Sequence, residues 1–133
     1  MVTHFYLDSS VAVRILLGHS ASAAEWFDET TGDADHLVLS SRLLRTELTR
    51  VLRREQLPVA RRDEIIDYVG ILPVDDATLG EAEAIIPHIK TLDSIHLGAL
   101  IRSGLDAVVV THDATMRQVA ELIGFATLDP VRG

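Results

Sequence analysis

Four acidic residues stand where carboxylates can do chemistry. Asp8 follows the apolar run FYL, Asp93 opens LDSIHLGAL, Asp113 follows VVVTH, and Glu47 lies inside SSRLLRTELTRVLRRE. At about 100° per residue, Leu43, Leu44, Leu48, Val51 and Leu52 of that last stretch share half of a helix circumference, and Glu47 falls within their arc. A carboxylate aimed toward a core must be neutralised, paired or bound to a metal. Carboxylates gathered in one pocket repel each other; without a cation, some hold their protons above the usual range near ~4 and titrate as a group. Their hard oxygens suit Mg²⁺ or Mn²⁺ better than zinc. Such an ion makes a bound water nucleophilic, neutralises a phosphate and stabilises a leaving oxygen.

Each acid also has an ordinary explanation. Asp is a favoured helix N-cap, worth about 1 kcal/mol, and Asp93 or Asp113 taken singly reads as one. Asp8 is less easily assigned this way, because Ser9 and Ser10 can cap the following helix themselves. Asp75 and Asp76, in PVDDAT, serve as a control: they too end a strand and begin a helix, and they are assigned to capping. His96 lies one turn after Asp93, but neither a second histidine at matching spacing nor an HExxH motif is present. His96 is therefore read as a packing or ligand-supporting residue and His112 as exposed.

The elements that must position these acids follow from short apolar runs alternating with helical patterns. HFYLD (4–8), HLVLS (36–40), ILPV (71–74), AVVVT (107–111) and FATL (125–128) read as strands. Helices are expected near 9–17, 21–31, 41–55, 59–69, 77–89, 92–103 and 114–123, with Gly18, Gly70, Gly104 and Gly124 as stops. This alternation specifies an α/β sandwich with a mostly parallel sheet. In such sheets, sites form at the carboxyl ends of the strands, and Asp8, Asp93 and Asp113 all map to that edge. The 133 residues suit one domain spanning 1–133, without repeats or linkers.

Composition narrows the function classes. There are no cysteines, which excludes disulfides and thiolate metal sites. The N-terminus lacks the pattern of a signal peptide, and no apolar stretch approaches the ~18 residues of a membrane span; a cytoplasmic setting is expected. A net charge of −8 argues against non-specific nucleic-acid binding. Between positions 42 and 62, however, seven arginines face two glutamates, a local +5. That segment reads either as a solvated helix face or as a basic rim beside an acidic site, with Arg42 and Arg45 on that rim. With aromatics at 5%, a stacking-driven RNA reader is not expected.

Together, YLDSS, RTEL, LDSIHLGAL and VTHD, in that order and at those separations, resemble the PIN domain, a family of metal-dependent nucleases. The resemblance runs from Met1 to about Asp129, and the small single-domain layout is most like the VapC toxins of bacterial toxin–antitoxin pairs. It implies a three-layer sandwich around a five-stranded parallel sheet of order 3-2-1-4-5. It also implies an endoribonuclease that hydrolyses RNA phosphodiesters with Mg²⁺ or Mn²⁺, leaving 5′-phosphate and 3′-hydroxyl ends. Asp8 and Asp93 would be the most direct metal ligands. Asp113 would hold a second ion or a ligating water, and Glu47 would orient the attacking water or bind the metal through water. Ser9 and Thr111 match positions that hydrogen-bond the acidic cluster, or are local caps. Some members carry a further acid four residues after the Asp113 position; here that residue is Arg117. The family also implies a homodimer, forming a heterotetramer or larger assembly with a cognate antitoxin whose extended segment lies along the first helices; Trp26 and Phe27 would contribute to that groove.

Two other readings compete. A receiver-like phosphotransfer domain would need adjacent acids after the first strand and a lysine after a late strand, whereas Asp8 stands alone and Lys90 is the sole lysine. A catalytically silent PIN-like binding protein would keep the fold without the chemistry, although all four acids are present.

Overall fold

Strand β1 (Thr3–Leu7) is the central strand of the sheet, and its last two residues, Tyr6 and Leu7, are buried on opposite faces. The computed structural model describes residues 1–132. After β1 come α1 (Ser9–Leu16), α2 (Ala21–Thr31), β2 (His36–Ser41) and α3 (Arg42–Arg54). A 3-10 turn (Val59–Arg62) then leads into α4 (Asp63–Ile66), followed by β3 (Gly70–Leu72) and α5 (Asp76–Glu83). The chain closes with α6 (Thr91–Ser103), β4 (Ala107–Val110), α7 (Ala114–Leu122) and β5 (Thr127–Leu128). The strands form one parallel sheet in the order β3-β2-β1-β4-β5, the expected topology.

Successive strand residues point to opposite faces, and this divides the core in two. Leu7 packs with Val11, Leu16, Phe27, Leu48 and Leu52 beneath α1–α4. Tyr6 packs with Leu97, Leu100, Val109 and Met116 beneath α6 and α7. Helix α5 rests on α6, where Gly98 admits a close approach: a Cβ there would lie 2.8 Å from the Thr78 carbonyl oxygen and 3.0 Å from the Ala82 nitrogen.

Several boundaries differ from expectation. The helix expected to reach residue 89 ends at Glu83. Pro87 disfavours helical backbone at Ile86, and the Ile86 side chain is exposed. The helix expected over 59–69 is a 3-10 turn followed by a single α-turn. Gly70 opens β3 rather than lying outside it, and β5 is two residues rather than four. Among the described residues, no helix is long and apolar enough to cross a membrane.

The sheet order creates the site. Chain progression reverses between β1 and β4, which are neighbours with Leu7 opposite Val110. The next residue of each strand, Asp8 and Thr111, emerges at the same edge. The Asp8 N–H still donates to the Val110 carbonyl at 2.9 Å, and the Thr111 N–H to that of Leu128 at 2.9 Å.

Candidate metal centre

Asp8 occupies the N-cap position of α1 but does not cap it with its side chain. Asp8 is 1% exposed, and its Oδ2 accepts from Ser10 Oγ at 2.7 Å and Thr111 Oγ1 at 2.8 Å. Oδ1 is buried with no hydrogen-bond partner. Asp113, by contrast, is a true cap: its Oδ1 accepts from the Met116 N–H at 2.8 Å, while its own N–H donates to Thr111 Oγ1 at 3.0 Å. Thr111 thus ties together the two acids that follow the central strands.

Glu47 reaches this edge from α3. Leu44, Leu48 and Leu52 form the buried stripe of that helix, and Glu47, Val51 and Arg54 form the neighbouring one. The carboxylate is paired rather than stranded. Oε1 lies 2.5 Å from His96 Nε2, Oε2 accepts from Ser9 Oγ at 3.0 Å, and 19% of the side chain remains exposed. His96 is fully buried on α6, with Nδ1 2.7 Å from the Tyr6 hydroxyl and 3.1 Å from Ser41 Oγ.

Asp93 is the third residue of α6, whose N-cap is Lys90, so its side chain is not at a capping position. Asp8, Glu47, Asp93 and Asp113 line one cavity of about 510 Å³ at the sheet edge. The Asp93 carboxyl is pushed up to about 6, first by burial and then by the charges of Asp8 and Asp113; Glu47 adds to the rise and His96 opposes it. The control acid behaves differently. Asp75 accepts from the Thr78 N–H and hydroxyl at 2.9 Å each, and these bonds hold its carboxyl below the usual range.

The whole of this arrangement lies within a stretch that matches a known family: residues 5–122 match the family described as the PIN domain. The chain belongs to the PIN domain family. This PIN domain is similar in fold to VapBC2 from Rickettsia felis bound to a DNA fragment from its promoter. The TM-score is 0.73 at 12% identity, covering 95% of this chain and 98% of the other. It is likewise similar to DNA-bound VapBC from Salmonella typhimurium (TM-score 0.71, 18% identity, 98% and 99% covered). A third neighbour is Mycobacterium tuberculosis VapC20, a Sarcin-Ricin loop cleaving toxin (TM-score 0.68, 16% identity, 92% and 96% covered). Comparison with curated protein sequences gives no match.

The donor set of this PIN domain suits a hard divalent cation. Asp8 offers a buried carboxylate oxygen that nothing else satisfies, and Asp93 and Asp113 line the same cavity. Among the described residues, no three acidic or imidazole side chains already form a closed metal-binding group. The acids are spread around the cavity, as like charges favour. Ser9 and Thr111 each donate to one of the acids.

Arg42 and Arg45 are exposed and do not line the cavity, and Arg42 donates to Thr46 Oγ1 at 3.0 Å. Their positions on α3 lie away from the Glu47–Val51–Arg54 stripe, and the cavity's basic residues are Arg14, Arg54 and Lys90. His112 is half-buried rather than exposed, with Nδ1 2.9 Å from Asp129 Oδ2. Trp26 and Phe27 do not form one surface: Phe27 is core at 3% exposure, whereas Trp26 is half-buried and edge-on to Phe5 at 5.8 Å. Neighbouring helix residues diverge by about 100°, so an aromatic pair in sequence splits between core and margin. Sequence reasoning also passed over Ser10 as an Asp8 partner, although its place in DSS, two residues after the acid, was a usable signal.

The raised Asp93 group predicts a pH effect in metal-free protein. Unfolded, this carboxyl ionises near 3.8; folded, near 6. The folded state therefore holds the extra proton between those values, and stability falls as pH rises through them. Measured against Asp93→Asn in EDTA, wild-type melting temperature should decline between about pH 4 and pH 6. A flat difference would contradict the electrostatic picture. Added Mn²⁺ at about 100 times its dissociation constant should stabilise wild type by about 2.7 kcal/mol.

Proposed function

We propose that this PIN domain is a divalent-metal-dependent endoribonuclease acting as the toxin of a toxin–antitoxin pair. The observation that carries the reading is Asp8, which has a buried, unpartnered carboxylate oxygen and lines a cavity with Glu47, Asp93 and Asp113. Asp8, Asp93 and Asp113 would hold Mg²⁺ or Mn²⁺, and Glu47 would orient the attacking water. When bound, the ion would supply water activation and charge neutralisation at phosphate. Hydrolysis joins the water oxygen to phosphorus and breaks the P–O3′ bond, leaving a 5′-phosphate and a protonated 3′-hydroxyl. Arg14, Arg54 and Lys90, around the same cavity, supply positive charge for the flanking phosphates.

The VapBC complexes among the structural neighbours support an antitoxin partner. On this reading the toxin is a homodimer, and the antitoxin segment covers α2 at Trp26. Trp26→Ala should weaken antitoxin binding at least about tenfold, as loss of an aromatic anchor does; an unchanged dissociation constant in calorimetry would move the groove elsewhere.

The nuclease reading is tested by incubating the protein with total cellular RNA and Mn²⁺ and sequencing the new ends. Discrete 5′-phosphate ends are expected, absent in EDTA and absent with Asp8→Asn. Ends that persist in EDTA would remove the metal mechanism, and a wild-type protein that binds Mn²⁺ but cuts nothing would favour a silent binding protein.

A further inference from the structure

His96 is fully buried, yet both of its ring nitrogens face polar groups. Nε2 lies 2.5 Å from Glu47 Oε1, and Nδ1 lies 2.7 Å from the Tyr6 hydroxyl and 3.1 Å from Ser41 Oγ. An ionised carboxylate only accepts, so Nε2 carries the proton and donates to Glu47. The Tyr6 hydroxyl is pushed above its ordinary range, chiefly by burial, and so keeps its proton; it is the natural donor to Nδ1. Ser41 Oγ already accepts the Leu43 N–H at 3.2 Å as the N-cap of α3, the helix that bears Glu47. One chain of hydrogen bonds therefore runs from β1 through α6 to α3.

We propose that His96 is a positioning residue for Glu47, locking its carboxylate through an Nε2–H···Oε1 bond while Ser9 holds Oε2. This deepens the nuclease reading and rests on it. A glutamate has three side-chain torsions, and a base that must meet one water loses efficiency when it wanders. Here each oxygen has its own partner, half-buried Ser9 on Oε2 and fully buried His96 on Oε1. Each oxygen keeps a further acceptor direction for water. Glu47 therefore acts as a fixed acceptor for the attacking water, while Asp8, with its unpartnered Oδ1, remains the primary ligand.

Two near-isosteric variants separate positioning from packing. Gln at 96 places an amide N–H near the Nε2 position and can still donate to Glu47. Asn places its amide near the Nδ1 position and keeps only the Tyr6 side. His96→Asn should lower kcat by about 10- to 100-fold, the usual effect of removing such a partner, with KM within about threefold. His96→Gln should recover most of that loss. In metal-free protein, the ¹⁵N imidazole resonances that vanish in His96→Asn should report an Nε2–H tautomer, and Glu47→Gln should move that proton upfield. Equal losses of kcat in both variants, no loss in either, or an Nδ1–H tautomer would each overturn the proposal. If wild type cleaves no RNA, the nuclease reading fails and the catalytic role of His96 with it, while the metal-free spectrum still reports whether the imidazole is tied to Glu47.

Discussion

Asp8→Asn is expected to abolish metal-dependent cleavage, by at least about 10³-fold, and to remove the Mn²⁺-induced rise in melting temperature. The first figure corresponds to about 4 kcal/mol of lost stabilisation, within the several kcal/mol a divalent ion supplies at phosphate. The substitution preserves shape, so Ser10 and Thr111 still face a polar group of the same size. What it deletes is the charge on the carboxylate of a buried residue, one of whose oxygens has no partner. In EDTA, the same variant should be at least as stable as wild type, because an uncompensated buried charge has been relieved. A purely structural Asp8 predicts the reverse: lower stability in EDTA and an intact metal response. Thermal melts with and without Mn²⁺, beside a gel-based cleavage assay, distinguish the two.

Gly98→Val should destabilise the fold by about 3 kcal/mol, lowering the melting temperature by about 10 °C. Even a bare Cβ at this position would lie 2.8 Å from the Thr78 carbonyl oxygen and 3.0 Å from the Ala82 nitrogen. Both are backbone atoms of α5, so no side-chain rotation relieves the clash, and the two helices must separate. Helix α6 also carries Asp93 and His96, and a shift of its axis would misplace both relative to β1. Cleavage should therefore fall further than the lost folded fraction accounts for. A variant with the wild-type melting curve would show that α5 yields more easily than its contacts indicate.

The fold was largely legible because strand and helix patterns alternate cleanly, and such alternation admits few topologies. Boundaries were less so. The segment 77–89 keeps a helical composition to its end, but Pro87 breaks the backbone first, and α5 stops at Glu83. Among the acids, sequence separated Asp75 from the others by context alone. The structure gives the separation a cause, since Asp75 is satisfied by Thr78 while Asp93 is destabilised by its neighbours. Asp113 turned out to be both cap and cavity wall, two roles that reading by type treats as alternatives.

By itself, then, the sequence determined the order of elements and the placing of three acids just beyond strands or at a helix start. These are local properties: periodicity, capping chemistry and chain punctuation act over a few residues. Only the tertiary structure decided which polar groups meet across long separations. It joined Glu47 to His96 and Ser9, gave Asp8 its two hydroxyl partners while leaving Oδ1 unmatched, and set Arg14, Arg54 and Lys90 around the cavity. Those outcomes depend on the angle at which each helix crosses the sheet. That angle is set by how all the buried side chains pack at once, and no short stretch of sequence carries it.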